Sequence, residues 1–222
     1  MSILAAALAA VTGFGGAHAA PAADAGATVI GRSSQGRPIV ARRVGSPRAR
    51  VELLVVGSVH GNEPAGRAVV RRLRRVRPPR GTALWLIEDA NPDGSATGSR
   101  HNARGVDLNR NFPYRWRHRD GVYESGPGPA SEPETRALQR FLRRERPRVT
   151  LWYHQALRMV VKGAGDPELE RLYSRRSALP RRRLPAYRGT VTSWQGSTRP
   201  RDTAFVVELP GGPLARAGAT RH

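Results

Sequence analysis

A chain of 222 residues with 39% hydrophobic residues and no cysteine is long enough for one well-buried domain. The missing cysteine excludes a disulfide scaffold, a thiol nucleophile and thiolate metal sites, so any metal chemistry must run through His, Asp and Glu. Thirty-eight basic residues against 17 acids leave a net charge of +21, nearly all of it arginine, since Lys162 is the one lysine. Such a balance suits anionic partners. The arginines are scattered without interleaved aromatics, however, so they read as a solvated surface and argue against nucleic acid.

The first twenty residues carry no Lys, Arg, Asp or Glu. An apolar stretch from Ile3 to Val11 leads to Ala17-His18-Ala19, an A-x-A cleavage pattern, so residues 1–20 read as a signal peptide and residues 21–222 as one domain. No segment is long and apolar enough to span a bilayer. Gly31 to Pro38 reads as a turn before a short strand, Ile39 to Val44. Val51 to Val59 is a near-continuous apolar run, the pattern of a strand buried on both faces. Pro64 opens an amphipathic helix toward Val76, with Val69, Val70, Leu73 and Val76 inside and Arg71, Arg72, Arg74 and Arg75 outside. Ala83 to Ile87 is a second buried strand. A turn-rich stretch from Asn91 to Pro129 follows. Ser131-Glu132-Pro133-Glu134 reads as a capping box that starts a helix toward Arg144. Val149 to Tyr153 is a further strand, Glu168 to Ser177 a helix, and Phe205 to Val207 a last strand. Strands alternating with helices predict an α/β fold, a mostly parallel sheet between helical layers.

In open α/β sheets, ligands bind beyond the carboxyl ends of the strands. The first long strand ends in His60-Gly61-Asn62-Glu63, the next in Asn91-Pro92-Asp93-Gly94, which reads as a tight turn. The later ones end in His154 and Glu208. Taken singly, each of these residues has a bland explanation. Two histidines and two carboxylates at successive strand ends favour a metal site instead. Two imidazoles and one carboxylate are a common zinc set in hydrolases. His60, Glu63 and His154 supply it, which leaves Glu208 as the general base toward water. The H-E-x-x-H helix motif is absent.

The segment from Ser99 to Pro113 is dense in Arg and Asn, side chains suited to grip carboxylates and carbonyl oxygens. With His60-x-x-Glu63, Asn91-Pro92-Asp93-Gly94, Arg100, Gly105 to Pro113, His154 and Glu208-Leu209-Pro210 in this order, the chain resembles the zinc carboxypeptidases of the carboxypeptidase A type. It resembles in particular the short bacterial branch that includes the murein peptide amidases. The resemblance runs from about Gly31 to Pro210. It implies a three-layer α/β/α sandwich with a mostly parallel, mixed central sheet and one Zn2+ per chain. By the same resemblance, His60, Glu63 and His154 match the zinc ligands and Glu208 the catalytic glutamate. Arg100 matches the arginine that polarises the scissile carbonyl. Asn109 and Arg110 match the pair that holds the substrate's terminal carboxylate. Asp107 matches an acid that orients a ligand histidine, and Tyr187, ahead of Trp194, matches a mobile tyrosine that closes over substrate. Thr190 to Trp194 is a candidate pocket wall. The stretch from Leu209 to His222 is rich in Gly, Ala and Arg, where relatives commonly carry a closing amphipathic helix.

The implied function is a secreted metallocarboxypeptidase or amidase that cuts a peptide bond near a free C-terminal carboxylate, with cell-wall (murein) peptides as substrates. Two alternatives compete with it. One is a zinc deacylase of N-acyl amino acids, similar to the succinylglutamate desuccinylases. The other is a non-catalytic basic binding protein. The Asn109 to Pro113 run and the leader favour the peptidase over the deacylase. The complete ligand set with Arg100 and Glu208 disfavours the binding protein.

Overall fold

The structure, a computed structural model, describes residues 25–212 and residue 214; the leader expected over residues 1–20 lies outside them. Its strands are β1 (Ala25–Arg32), β2 (Pro38–Gly45), β3 (Val51–Val56), β4 (Thr82–Ile87), β5 (Val149–Ala164), β6 (Arg181–Arg182) and β7 (Thr203–Pro210). The α-helices are α1 (Ala65–Leu73), α2 (Pro92–Thr97), α3 (Pro133–Glu145), α4 (Pro167–Ser177) and α5 (Val191–Thr198). All seven strands form one sheet in the order β1-β2-β4-β3-β5-β6, with β7 also paired to β5. β1–β2 and β2–β4 are antiparallel, while β4–β3, β3–β5 and β5–β7 are parallel, which is the mixed, mostly parallel sheet expected.

Side chains alternate across the pleat, so β3 sends Leu53 and Val55 to one face and Leu54 and Val56 to the other. The first face packs under α1 (Val69, Val70, Leu73) and α4 (Leu169, Tyr173). The second packs under α3 (Leu138, Phe141) and α5 (Val191, Trp194). Helices on both faces explain why β3 and β4 read as near-continuous apolar runs: Leu53–Val56 and every residue of Thr82–Ile87 are buried. Each such side chain contributes about 1.5–3 kcal/mol relative to exposure.

Three local expectations change. Asn91-Pro92-Asp93-Gly94 is the start of a short helix, not an isolated turn: the Asn91 side chain accepts from the Gly94 N–H at 3.0 Å and caps α2. The capping box does not form. Glu132 occupies the N-cap without a side-chain cap bond, and the Ser131 hydroxyl instead donates to Glu132 at 2.8 Å. Proline at the first helical position already removes one of the donors a cap would serve.

The strand expected at Val149–Tyr153 is only the first third of β5. Along Val149–Gln155 its partners on β7 ascend, from Thr203 to Leu209. From Met159 onward they descend: Met159 faces Glu208, Val160 faces Val207, Val161 faces Val206 and Ala164 faces Ala204. Val206 is thus paired with both Trp152 and Val161, which requires the two halves of β5 to lie on opposite edges of β7. The chain folds back at Leu157–Arg158, where Arg158 has φ +54°, just beyond His154.

Candidate active site

Parallel register brings the chemistry to one edge. Val56 of β3 sits opposite Trp152 of β5, and His154 of β5 opposite Glu208 of β7. His60 and Glu63 follow in the connection from β3 to α1. That connection packs closely on α2, since a Cβ at Gly61 would fall 1.9 Å from the Gly94 carbonyl carbon. Four residues separated by up to 148 positions therefore line one cavity of about 530 Å³.

Within it, His60, Glu63 and His154 are all buried and offer ligand atoms within 4.8 Å of one another. His60 Nδ1 lies 2.8 Å from Glu63 Oε1, and His154 Nδ1 lies 2.9 Å from Glu63 Oε2. The two imidazole Nδ1 atoms are 3.2 Å apart. Ligand atoms on a tetrahedral zinc with bonds near 2.0–2.1 Å are about 3.3–3.4 Å from each other. The two imidazole nitrogens stand near that separation and Glu63 lies closer to each, at hydrogen-bond distance, so the three donors are gathered where one ion could meet all of them. The far side of His60 agrees: its Nε2 faces Asp107 Oδ1 at 3.0 Å, so the carboxylate fixes the proton on Nε2 and leaves the Nδ1 lone pair for the metal. His154 Nε2 is buried and has no hydrogen-bond partner among the described residues.

Asp107 is fully buried and shared. Its Oδ1 accepts from His60 and from the Asn109 N–H (2.9 Å), and its Oδ2 accepts from Arg100 Nε (3.1 Å) and Nη2 (2.8 Å). Arg100 Nη1 also reaches Glu63 Oε1 at 3.3 Å. Burial would raise both carboxyls. The His154 and His60 rings on Glu63, and His60 with Arg100 and Arg110 on Asp107, outweigh it and hold both well below the usual carboxylate range. Burial alone would lower the pKa of His60, but bonding to Asp107 and Glu63 raises it. Glu208 is the exception among the acids. Burial pushes its carboxyl up, the Glu63 charge adds to this, and the His154 and His60 rings and the Leu157 N–H only partly oppose it. Its Oε2 is buried without a partner among the described residues. A carboxyl of raised pKa with a free oxygen beside a metal set is equipped to exchange protons.

The other expected residues line the same cavity. Asn109 Oδ1 accepts from the Val191 N–H at 3.0 Å, which ties the site to α5. Arg110 is 5% exposed and bonds its own neighbour's carbonyl, Asn109 O, at 2.8 Å. Tyr187 is held over it, with the ring centroid 4.5 Å from the guanidinium carbon. Gly189 permits this approach: it has φ +70° and a Cβ there would meet Arg110 O at 2.2 Å. The candidate wall is the first turn of α5, from which Thr190, Thr192 and Ser193 face the cavity.

Several lining residues escape sequence reasoning, from the return half of β5 and the segment before Tyr187 among others, and two of them touch the site residues directly. Tyr123 lies in a Gly- and Pro-rich loop with no pattern to mark it. Gln155 accepts from the Ala65 N–H at 2.8 Å and donates its own N–H to Glu63 at 3.3 Å. Its position next to His154 was the only available signal.

Comparison with known proteins agrees with this arrangement. The zinc carboxypeptidase profile matches residues 78–204. Murein peptide amidase A of Escherichia coli K12 is 35% identical over 142 residues, 57% of this chain and 58% of that protein. The chain therefore spans less than two thirds of this curated relative's length. Carboxypeptidase SOL1 of Arabidopsis thaliana is 31% identical over 130 residues, 51% of this chain and 26% of that protein. Among solved structures, the murein-tripeptide amidase of Escherichia coli O157 superposes with a TM-score of 0.71 at 27% identity, covering 88% of this chain and 86% of that one. Carboxypeptidase A of Helicoverpa armigera shares the fold, with a TM-score of 0.70 at 18% identity over 86% and 60% of the two chains. With a family profile over more than half its length and three donors gathered for one ion, the chain belongs to the zinc carboxypeptidase family.

Proposed function

We propose that this protein is an exported zinc peptidase that hydrolyses the peptide bond next to a free C-terminal carboxylate, with murein peptides as its substrates. The observation that carries the reading is Arg110: a buried guanidinium without a carboxylate partner among the described residues, facing the same cavity as His60, Glu63, His154 and Glu208. A cation in that state is a receptor for an anion, and a chain terminus supplies one. The murein assignment is supported by the amidase relatives, and export by the uncharged, alanine-rich leader with its A-x-A pattern.

His60, Glu63 and His154 would hold the zinc. When bound, the ion polarises the scissile carbonyl and acidifies water. The remaining work falls to the chain's own groups. Arg110 and Asn109 bind the terminal carboxylate and set the register of the peptide, so that the bond to be cut lies beside Glu208. Arg100, steadied by two bonds to Asp107, points Nη1 toward the site and stabilises negative charge on the carbonyl oxygen. Glu208 accepts a proton from water as its oxygen attacks the carbonyl carbon. It then delivers that proton to the amine nitrogen as the C–N bond breaks. A carboxyl held above its ordinary pKa suits both halves of this exchange.

The test uses purified murein tripeptide and a panel of N-blocked dipeptides, each with a free and an amidated C-terminus. Native enzyme should prefer the free acids strongly, and Arg110→Ala should lose that preference while keeping its zinc. If amidation harms both enzymes equally, Arg110 is not the clamp and the exopeptidase reading falls. Hydrolysis of N-acyl amino acids alone would support a deacylase instead. N-terminal sequencing of protein recovered outside the cytoplasm should begin near Ala20; an intact Met1 on cytoplasmic protein would reject export.

A further inference from the structure

Arg110 poses a problem that the reaction does not resolve. A guanidinium 5% exposed, with Nε lacking any hydrogen-bond partner, should be costly to keep in place. An acid beside it would neutralise the charge, but would also compete with the substrate's carboxylate. Asp107 acts on this charge through space without forming an ion pair, Asn109 O accepts one bond, and two aromatic faces lie against the guanidinium. The Tyr123 ring centroid lies 4.8 Å from the Arg110 guanidinium carbon and the Tyr187 centroid 4.5 Å from it, and the two rings are 5.7 Å apart. A triangle with these sides has an angle of about 75° at the guanidinium carbon, so both rings lie to one side of the cation, as the walls of a corner. A ring face attracts a cation through its quadrupole without cancelling the charge.

We propose that Tyr123 is a positioning residue for the terminal-carboxylate site, forming with Tyr187 an aromatic corner that holds the Arg110 guanidinium while leaving its open side to the substrate. This rests on the reading of Arg110 as the carboxylate clamp. Tyr123 is built to be static. It ends a short 3-10 turn, Gly121–Tyr123. The next carbonyl, Glu124 O, accepts from the Asp107 N–H at 2.7 Å, and the preceding one, Val122 O, lies 3.1 Å from His101 Nε2. The ring is thereby tied to the loop that carries Arg100, Asp107 and Arg110. It also lies 5.7 Å from the Arg100 guanidinium carbon, so one ring faces two cations that would otherwise repel each other. Asp107 neutralises Arg100 through two bonds, whereas Arg110 feels Asp107 only through space, bonds one carbonyl and has the aromatic corner against its guanidinium.

The test compares zinc-loaded wild type, Tyr123→Met, which keeps bulk without a ring, and Tyr123→Phe, which keeps the ring without the hydroxyl. Each is assayed on an N-blocked dipeptide and its C-terminal amide. Binding of an N-acetyl amino acid and its carboxamide is measured by calorimetry. Tyr123→Met should raise KM and Kd for the free acids roughly 5- to 30-fold, the range of a partly desolvated cation–aromatic contact. The loss should be several-fold larger on the free acids than on the amides, where any change reports the ring's contact with Arg100, and Tyr123→Phe should restore native values. A wild type that discriminates acid from amide beside a Tyr123→Met that matches it overturns the role of Tyr123 alone. A Tyr123→Phe as impaired as Tyr123→Met shows that the hydroxyl acts, and also overturns it. Equal losses on acid and amide show general damage, and count against positioning. A wild type blind to amidation overturns the clamp and this inference together. Should Tyr123→Met fail to fold, Tyr123→Trp, with its stronger ring face, must bind the free acid at least as tightly as Tyr123→Phe, and weaker binding refutes the proposal.

Discussion

Replacing Asp107 by Asn tests the frame beneath the metal set. The four bonds to this carboxylate divide evenly: His60 Nε2 and the Asn109 N–H on Oδ1, and two Arg100 donors on Oδ2. Asparagine keeps one oxygen and places an NH2 at the other corner, so whichever way it turns, two donors face a donor. Hydrogen bonds to a charged group are each worth about 1.5–3 kcal/mol. Removing one partner of a buried ion pair costs about 3–5 kcal/mol. Both routes give roughly 3–5 kcal/mol for Asp107→Asn. At about 2–4 °C per kcal/mol for a domain of this size, Tm of the metal-free protein should fall by about 6–20 °C. Zinc affinity, measured by competition with a chelator, should fall about 10- to 100-fold, because His60 loses the acceptor that fixes its proton on Nε2. A variant that keeps native zinc affinity and a Tm within about 2 °C of wild type, under one kcal/mol on the same scale, would refute the account.

His60→Ala should lose nearly all zinc at sub-micromolar metal, whereas Glu208→Gln should keep fold and zinc but lose on the order of 10²–10⁴-fold in kcat; elemental analysis beside kinetics separates the two. Gly189→Ala places a Cβ 2.2 Å from Arg110 O at φ +70°, and should both destabilise the protein, by about 1–3 kcal/mol in denaturant titration, and raise KM for free-acid substrates by displacing Tyr187. Asp93 is 1% exposed; burial would raise its carboxyl, but Arg37, Ser33, Gln35 and Ser34 hold it below 3.8. Its stabilising contribution is therefore complete above about pH 4 and is lost as pH falls through the lower folded value. The Tm gap between wild type and Asp93→Asn should be widest near neutrality and narrow as pH falls below the usual carboxylate range; a gap independent of pH would show that the charge of Asp93 does not matter.

Much of this architecture is written locally. Leu53–Val56 and Ala83–Ile87 are apolar without interruption because helices cover both their faces, and burial on two sides leaves that mark in any such strand. His60, Glu63, His154 and Glu208 could be assembled on paper because adjacent parallel strands all end at one edge. The return half of β5 left no such mark. Leu157 to Gly163 is a broken series of exposed and buried residues, since it is stabilised by main-chain pairing to the far edge of β7 rather than by a face of its own. The capping box failed for a similar reason, because the Ser131 hydroxyl found Glu132 instead of the helix end. Tyr123 was invisible because its partners are the faces of Arg110 and Arg100, brought to it by a turn-rich loop with no periodicity. Periodicity records which side of its own element a residue buries. It carries nothing about which side chains meet when loops close over a cavity, and there the tertiary packing alone decided that Arg110 would rest on aromatic rings and Arg100 on a carboxylate.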